Sequence, residues 1–421
     1  MDYSKFYSKI TLRRRENPIR RITEAYLTSN KSDVMSFAGG LPNTDTYPFE
    51  GINVSCKDKT NLYLKDKDLA LALQYGPASG YLPLLKKYRE LQCKWHNPKR
   101  TDWNVMFFAG SQDCCSKVFE MFLNEGDPIM VQSPTYTATI NSLVSLNPDF
   151  IEINQDNDGI IPEQIINVCE KRLIDGKPLP KLIYVNPTGA NPTGTVLTEN
   201  RRKQVYELAQ KYNFLIVEDE AYCFIHFMNK QPTSFFSLDT EGRVIRADSF
   251  SKIISGGMRL GCVSANNELL YKLSMHVENS ILQANSLSQV IVYKLFDSWD
   301  EDRFNKHFKS LQDFYREKRN KMLTGIKKHL TGLAEWTEPK GGFFIWIKLI
   351  GINDTFHFVQ NKCIPNGLFV VSGNAFYYDT KKPTQYLRLS YSYANDYEID
   401  KGLSIMAKLI REENQMKILT R

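Results

Sequence analysis

Lys252 is the residue whose neighbours most favour chemistry. It follows two serines, Ser249 and Ser251, and Arg259 lies shortly after it, beyond a run of small residues. Hydroxyls and a guanidinium together can bind a phosphate group. A lysine beside that phosphate can form a Schiff base with an aldehyde if its pKa is lowered. A lone lysine after a strand is usually a solvated surface residue, so the prediction depends on these neighbours.

A second phosphate-binding element is predicted at Ser111 and Gln112. Both follow Gly110, where an apolar stretch gives way to a helical one. The N–H groups at a helix N-terminus favour an anion. Serine is also a common helix cap, so this signal is weak by itself.

The polar candidates follow apolar stretches of strand length. Strands are predicted over residues 105–109, 128–131, 182–185, 214–217 and 243–247, with a helix over residues 199–212. Wholly apolar strands that alternate with helices favour a parallel sheet covered on both faces. Ligands bind such a sheet outside the carboxyl ends of its strands. We therefore expect the polar groups at these ends to share one pocket.

Pyridoxal phosphate (PLP) is a cofactor that would use these groups together, since it carries a phosphate and a pyridine ring. The Asp219 charge would keep the ring nitrogen protonated, so that the ring accepts electrons from a substrate carbanion. Asn191 and Tyr222 would donate hydrogen bonds to the ring phenolate oxygen, and Tyr136 would stack on the ring. Taken alone, Asp219 is more often a helix cap or a surface carboxylate, and Tyr136 is as often a core aromatic.

The order of these motifs resembles the fold type I PLP-dependent aminotransferases. The motifs are Asn191-Pro-Thr-Gly194, Asp219-x-x-Tyr222, and Ser249-x-Ser-Lys252 followed by Arg259. Further stretches resemble the kynurenine/α-aminoadipate aminotransferases, and they lie at residues 37–43, 72–75, 246–254, 373–377 and 386–388. The likeness extends from about residue 3 to about residue 410.

The resemblance implies an α/β fold with two domains. The large PLP-binding domain, residues 56–304, would hold a mostly parallel seven-stranded sheet sandwiched by helices. Residues 1–55 with 305–421 would form a smaller α+β domain and the N-terminal segment. Within this smaller unit a long helix is predicted over residues 302–328, and strands over residues 343–347, 368–371 and 386–389. We expect the first fifty or so residues to pack against it.

The resemblance also implies roles that composition cannot assign. Arg388, with Asn191, is expected to hold the substrate α-carboxylate through a bidentate pair. Tyr75 is expected to reach the phosphate of the neighbouring subunit's cofactor, which implies a homodimer with shared active sites. Arg20 is expected to close over the site and meet the substrate side chain, and Gly40 to line the same wall.

The activity implied is transfer of an amino group from an L-amino acid to 2-oxoglutarate by a ping-pong mechanism. Kynurenine, 2-aminoadipate and aromatic amino acids are the implied donors, and Phe343 and Phe344 could face an aromatic one. Another PLP reaction on the same scaffold, such as a C–S lyase, remains the nearest alternative. A non-catalytic effector-binding regulator is less favoured, because the stretch before Gly39 is too short for a DNA-binding domain.

Composition narrows the partners and the compartment. The formal net charge of +7 is mild and scattered, so we expect small amino acids and oxo acids as partners and no nucleic acid. We expect no membrane span and no metal site. The basic residues near the N-terminus weakly resemble a mitochondrial presequence. The predicted compartment is cytoplasmic, with mitochondrial as the alternative.

Overall fold

The computed structural model describes residues 1–27, 29 and 32–419. The strands are β1 (Ile52–Ser55), β2 (Asn61–Leu64), β3 (Trp103–Phe108), β4 (Pro128–Ser133), β5 (Asp149–Asp156), β6 (Gly159–Ile160), β7 (Leu182–Val185), β8 (Leu215–Glu220), β9 (Val244–Ser249), β10 (Gly261–Asn266), β11 (Ala334–Trp336), β12 (Phe344–Leu349), β13 (Val371–Ser372) and β14 (Tyr386–Ser390). The helices are α1 (Lys9–Arg13), α2 (Pro18–Leu27), α3 (Asp66–Leu73), α4 (Leu82–His96), α5 (Ser111–Phe122), α6 (Thr137–Val144), α7 (Pro162–Ile174), α8 (Glu199–Tyr212), α9 (Phe235–Leu238), α10 (Asn267–Glu278), α11 (Ser286–Asp297), α12 (Glu301–Leu330), α13 (Thr355–Phe358) and α14 (Asp396–Leu419).

The main sheet positions the site. Within the described residues it has eight strands, in the order β3-β10-β9-β8-β7-β4-β5-β6. The five strands β9, β8, β7, β4 and β5 run parallel, while β10 is antiparallel to both its neighbours. The edge strand β6 is antiparallel and only two residues long. The predicted α/β fold is confirmed, and this short edge strand is an addition to the seven expected.

Helices cover the sheet on both faces because its central strands are apolar on both faces. Strands β4, β7, β8 and β9 are buried along their whole length. One apolar cluster joins the sheet to α4, α7, α8 and α11, and a second joins it to α5 and α10. The five predicted strands are all present. The sequence analysis did not predict β5 and β10.

The smaller unit is built on a four-stranded antiparallel sheet in the order β11-β12-β14-β13. Helix α14 and the last turns of α12 pack on it. The predicted strands over residues 343–347 and 386–389 correspond to β12 and β14. The prediction for residues 368–371 is wrong for most of its length, because Phe369 points to solvent and only Val371–Ser372 pairs with β14.

Helix α12 belongs to both units. Phe304 and Phe308 in its first turns lie in the core under the main sheet. Met322 and Ile326, further along, lie in the core of the smaller unit. The predicted domain boundary at residue 304 therefore falls inside a continuous helix, and it stays a prediction.

The start of the chain packs against the large unit, so the expectation that it packs against the smaller one is wrong for residues 3–13. Tyr3, Phe6 and Tyr7 are buried in the cluster formed by α5 and α10. The hydroxyl oxygen of Thr11 on α1 lies 2.8 Å from the ring nitrogen Nε2 of His276 on α10. The physical reason is that these apolar side chains cover the outer side of α5 and α10, which would otherwise face water.

A glycine contact joins the two units beside the main sheet. Gly189, after β7, has a φ of +62°, and a Cβ atom there would lie 2.3 Å from the backbone nitrogen of Gly342. Gly342 in turn donates its N–H to the Ile225 carbonyl at 2.9 Å and accepts from the Tyr391 hydroxyl at 2.6 Å. The two backbones thus approach more closely than any side chain would permit.

This contact predicts a cost for one added methyl group. We expect Gly189→Ala to lower the free energy of unfolding of the holoenzyme by roughly 1–3 kcal/mol more than Gly176→Ala does, because of overpacking. Gly176 has a similar φ of +64° but open space where its Cβ would lie, so it reports the backbone cost alone. Urea denaturation measures both variants, and equal losses would contradict the steric reading of the contact.

Candidate active site

The predicted cofactor residues of one chain meet in a cavity of about 330 Å³ at the carboxyl ends of the strands. The lining residues that the sequence predicted are Ser111, Gln112, Tyr136, Asn191, Asp219, Tyr222, Ser249, Ser251, Lys252, Arg259 and Arg388. Asn186, Ala221 and Phe344 complete the lining. A larger cavity of about 990 Å³ lies beside α2 and contains none of these groups. The smaller cavity is therefore the candidate active site.

Asp219 is a buried carboxyl at the end of β8. Its Oδ2 accepts a hydrogen bond from the Tyr184 hydroxyl at 2.6 Å, whereas its Oδ1 is buried without a protein partner. Burial raises the pKa of the carboxyl to about 6, and the Tyr184 hydrogen bond opposes that rise. A buried oxygen without a partner is costly, so the site is suited to a ligand that supplies an N–H.

The turn after β7 is organised by Asn186. Its Oδ1 accepts from the Asn191 backbone N–H at 2.9 Å, and its Nδ2 donates to the Asp219 carbonyl at 2.7 Å. The peptide bond between Asn191 and Pro192 is cis. Asn186 thereby ties the turn that carries Asn191 to the end of β8. Sequence reasoning missed this role, although Asn186 stands at the start of the motif it had singled out.

Arg388 enters the cavity from β14 of the smaller unit. Its Nη1 donates to Oδ1 of Asn191 at 2.9 Å, and its guanidinium lies 4.2 Å from the ring centroid of Phe344 and 5.0 Å from that of Phe376. Its Nε is buried without a partner, and burial lowers the pKa of the guanidinium. An oriented guanidinium with a spare N–H is suited to bind a carboxylate.

A cluster of anion donors lies at the start of α5. The helix begins at Ser111, and a Cβ at Gly110 (φ +98°) would lie 2.6 Å from Nη2 of Arg259. That guanidinium reaches the Ala109 carbonyl at 3.2 Å, and the Ser249 hydroxyl lies nearby in the same cavity. Helix N–H groups, hydroxyls and a guanidinium that lie together are suited to bind a phosphate dianion.

Lys252 is half-buried in the same cavity, near the aromatic side chains of Phe343 and Phe344. Its Nζ lies 5.8 Å from the ring centroid of Phe343. Burial lowers the pKa of the amine, and the Arg259 charge adds to the effect. A lysine with a lowered pKa is more often in the neutral form that attacks a carbonyl or accepts a proton.

Two tyrosines form the remaining walls. Tyr222 packs edge-on against Phe343 and Phe344, at centroid distances of 5.1 and 6.1 Å. Burial raises the pKa of the Tyr222 hydroxyl, so it remains a hydrogen-bond donor at neutral pH. Tyr136 lies just before α6, and burial also raises the pKa of its hydroxyl.

Three predicted residues lie outside the cavity of their own chain. Tyr75 is half-exposed. Arg20 on α2 donates to the carbonyls of Gly76 at 3.2 Å and Leu282 at 3.0 Å. Gly40 is not part of the cavity lining, and a Cβ there would meet no atom within 4 Å. The geometry of one chain thus accounts for the cofactor residues and Arg388, but not for these three.

Comparison with known proteins gives the family. A family model described as aminotransferase class I and II matches residues 51–405. The chain belongs to this family. It is a PLP-dependent aminotransferase. The residues present fit this cofactor, because the cavity offers donors suited to a phosphate, an amine with a lowered pKa and a buried carboxylate oxygen without a partner.

Individual relatives agree over nearly the whole chain. The mouse protein named kynurenine/alpha-aminoadipate aminotransferase, mitochondrial, is 36% identical over 98% of this chain and 100% of its own length. Aromatic-amino-acid aminotransferase 1 of Thermococcus litoralis is 32% identical over 98% of this chain and 96% of its own. The crystal structure of Pyrococcus horikoshii kynurenine aminotransferase is 30% identical, covers 98% of both chains and superposes with a TM-score of 0.79.

Proposed function

We propose that the protein transfers the amino group of kynurenine, 2-aminoadipate or an aromatic L-amino acid to 2-oxoglutarate. The observation that carries the proposal is that Arg388, whose Nε is buried without a partner, lines the same cavity as Lys252. That arrangement suits an α-amino acid whose carboxylate pairs with the guanidinium while its Cα lies near the amine. The names of the mouse, Thermococcus and Pyrococcus relatives support these donors.

The cavity residues would hold PLP by each of its polar groups. Ser111, Gln112, Ser249, Ser251 and Arg259 would bind the phosphate. Asp219 Oδ1 would accept from the pyridine nitrogen, and Asn191 and Tyr222 would donate to the ring oxygen. When bound, the cofactor supplies an aldehyde and a protonated ring that accepts electrons from Cα of the donor.

Lys252 would perform the proton transfers. Once the donor amine had taken its place, the Lys252 amine would act as the base that takes the proton from Cα of the donor and then as the acid that delivers it to complete the transfer. Its lowered pKa favours the neutral form that this step requires. Arg388 and Asn191 fix the donor carboxylate, which keeps the Cα–H bond directed at the amine.

The aromatic side chains of Phe343, Phe344 and Tyr222 would select the donor side chain. Phe344 lines the cavity and Phe343 lies against Tyr222, so a flat ring can pack there. An acidic donor such as 2-aminoadipate needs a cation instead. Arg20 would supply it, which links donor choice to the assembly of two chains.

A coupled assay tests the proposed activity. With 2-oxoglutarate present, we expect glutamate to form from kynurenine, 2-aminoadipate or an aromatic amino acid, and the cofactor absorbance to change with each half-reaction. Lys252→Ala should lower kcat by at least about a thousandfold, since it removes the general base. Bound PLP with no glutamate from any donor, but release of ammonia or pyruvate, would move the assignment to a lyase.

We also propose that the protein is a homodimer in which Tyr75 and Arg20 serve the partner's site. Arg20 binds the carbonyl of Gly76, the residue after Tyr75, so the two side chains belong to one surface. The extended segment before β1 exposes Met35 and Phe37, by 86% and 101%. Such exposed apolar side chains are typical of an interface. Gly40 lies on the same segment and would reach the partner's site with it.

Mixed dimers test the shared sites. A dimer of one Tyr75→Ala subunit and one Lys252→Ala subunit should keep about half the wild-type activity, because one site then holds both native residues. The matched control places both substitutions on one subunit beside a wild-type partner, and it should be much less active. A second pair of mixed dimers carries Arg20→Ala in place of Tyr75→Ala. With acidic donors, its two arrangements should differ in activity in the same way. Equal activity of the two arrangements would contradict the shared-site proposal.

We further propose that the protein works in the cytoplasm. The basic segment near the start carries Tyr3, Phe6 and Tyr7, which are buried against the large unit. Residues that form part of the core are poorly suited to act as a removable presequence. None of the helices in the described part of the chain has the length and apolarity needed to cross a bilayer.

Fluorescence microscopy checks the compartment. The full chain with a fluorescent protein at its C-terminus should give a diffuse cytoplasmic signal in eukaryotic cells. Mitochondrial co-localisation would contradict the proposal and would agree with the name of the mouse relative.

A further inference from the structure

Tyr184 touches the Asp219 carboxylate from within the core. It is fully buried in β7, and its hydroxyl donates to Oδ2 of Asp219 at 2.6 Å. Oδ1 of the same carboxylate has no partner. The two oxygens therefore differ, since one is bound by the protein and the other is left for a ligand.

Tyr184 also accepts a hydrogen bond from a third residue. Thr139 on α6 donates its hydroxyl to the Tyr184 oxygen at 3.1 Å. Burial, and then the Asp219 charge, raises the pKa of the Tyr184 hydroxyl well above its ordinary value, so it keeps its proton. A carboxylate oxygen can only accept, so the phenol proton is the one shared with Asp219, and the Thr139 bond uses a lone pair of the Tyr184 oxygen.

The tyrosine is held rigidly by the sheet and by α5. Strands β7 and β8 pair in parallel with Tyr184 opposite Val217, two residues before Asp219. The Tyr184 ring packs edge-on against Phe119 on α5 at a centroid distance of 5.8 Å. Because Tyr184, Phe119 and Asp219 are all buried, packing holds the hydroxyl against the carboxylate.

We propose that Tyr184 is a positioning residue: it fixes Asp219 with Oδ1 toward the pyridine nitrogen of PLP and keeps the carboxyl ionised. The proposal rests on the role of Asp219 assigned above. Tyr184 touches neither cofactor nor substrate and acts only through Asp219.

Titratable groups on several packed elements lie close enough to Asp219 to interact with it electrostatically. They are Asp248 on β9, Cys114 and Cys115 on α5, Tyr136 before α6 and Tyr222 after β8. Of these, the Asp248 charge raises the pKa of Asp219, and Asp248 is itself paired with Arg246 at 2.7 Å. Among the described groups, the Tyr184 hydroxyl is the one whose hydrogen bond lowers the pKa of Asp219.

Tyr184→Phe removes this one hydroxyl and keeps the ring against Phe119. With it gone, burial and Asp248 act unopposed, so the carboxyl should hold its proton to higher pH. The sign follows, since Asp219 is charged above its pKa and neutral below it. We expect the PLP dissociation constant to rise about tenfold at neutral pH, the size of one charge-assisted hydrogen bond. The loss of PLP affinity on acidification should begin at a higher pH than in the wild type.

The measurement is a titration of the apoprotein with PLP over a pH series, followed by absorbance and intrinsic fluorescence. Thr139→Val is the matched control, because it leaves the Tyr184 hydroxyl in place and should change affinity by less than about threefold. Circular dichroism and the melting temperature establish that each variant is folded.

A double-mutant cycle separates positioning from packing. If Tyr184 acts through Asp219, Tyr184→Phe added to Asp219→Asn should cost no further PLP affinity beyond Asp219→Asn alone. Additive losses, an unshifted pH profile, or normal PLP affinity in Asp219→Asn would each overturn the proposal. The PLP titration contains no amino donor, so it does not depend on the proposed activity. A shifted pH profile of PLP affinity in a protein that transfers no amino group would support the role of Tyr184 and overturn the proposed donor chemistry.

Discussion

The site depends on one carboxylate kept in a place that disfavours charge. Asp219 lies at the end of a strand that is buried on both faces, so water solvates its carboxylate poorly. A group in that position is neutral or partnered, and here its pKa rises to about 6 because of burial. The surrounding polar groups stabilise this charge or fix the position of the residue that carries it. Tyr184 binds one oxygen, Asn186 binds the backbone carbonyl, and the other oxygen is left to the ligand.

The second constraint is that Arg388, the residue proposed to bind the substrate carboxylate, comes from a different unit. Arg388 lies on the smaller sheet, yet it must reach Asn191 on a turn of the larger one. The Gly189–Gly342 contact brings the two backbones together close to that turn. The position of the guanidinium is therefore determined by packing between units as well as by its own hydrogen bond. Aromatic rings on either side, Phe344 and Phe376, restrict it further.

Much of the fold and the cofactor site could be predicted because the signals are local. Apolar runs that end in polar residues identified the central strands and, through them, the shared pocket. Strand β5 escaped prediction because polar and apolar residues are mixed along it, and β10 because it is composed mainly of small and polar residues. The packing of Tyr3 and Phe6 was predicted wrongly, since apolar residues in an irregular segment do not reveal which surface they cover. Tyr184 and Asn186 were missed because their roles exist only through their partners.

Helix α12 has a consequence for how this chain can vary. Phe304 and Phe308 must face one core while Met322 and Ile326 face the other, along a single uninterrupted helix. Inserting one residue between the two pairs would rotate the second by about 100° relative to the first. The number of residues between the two pairs therefore fixes the angle between the side chains that enter the two cores. Change of sequence along its exposed side is tolerable, but a change of length is not, unless it comes in whole turns.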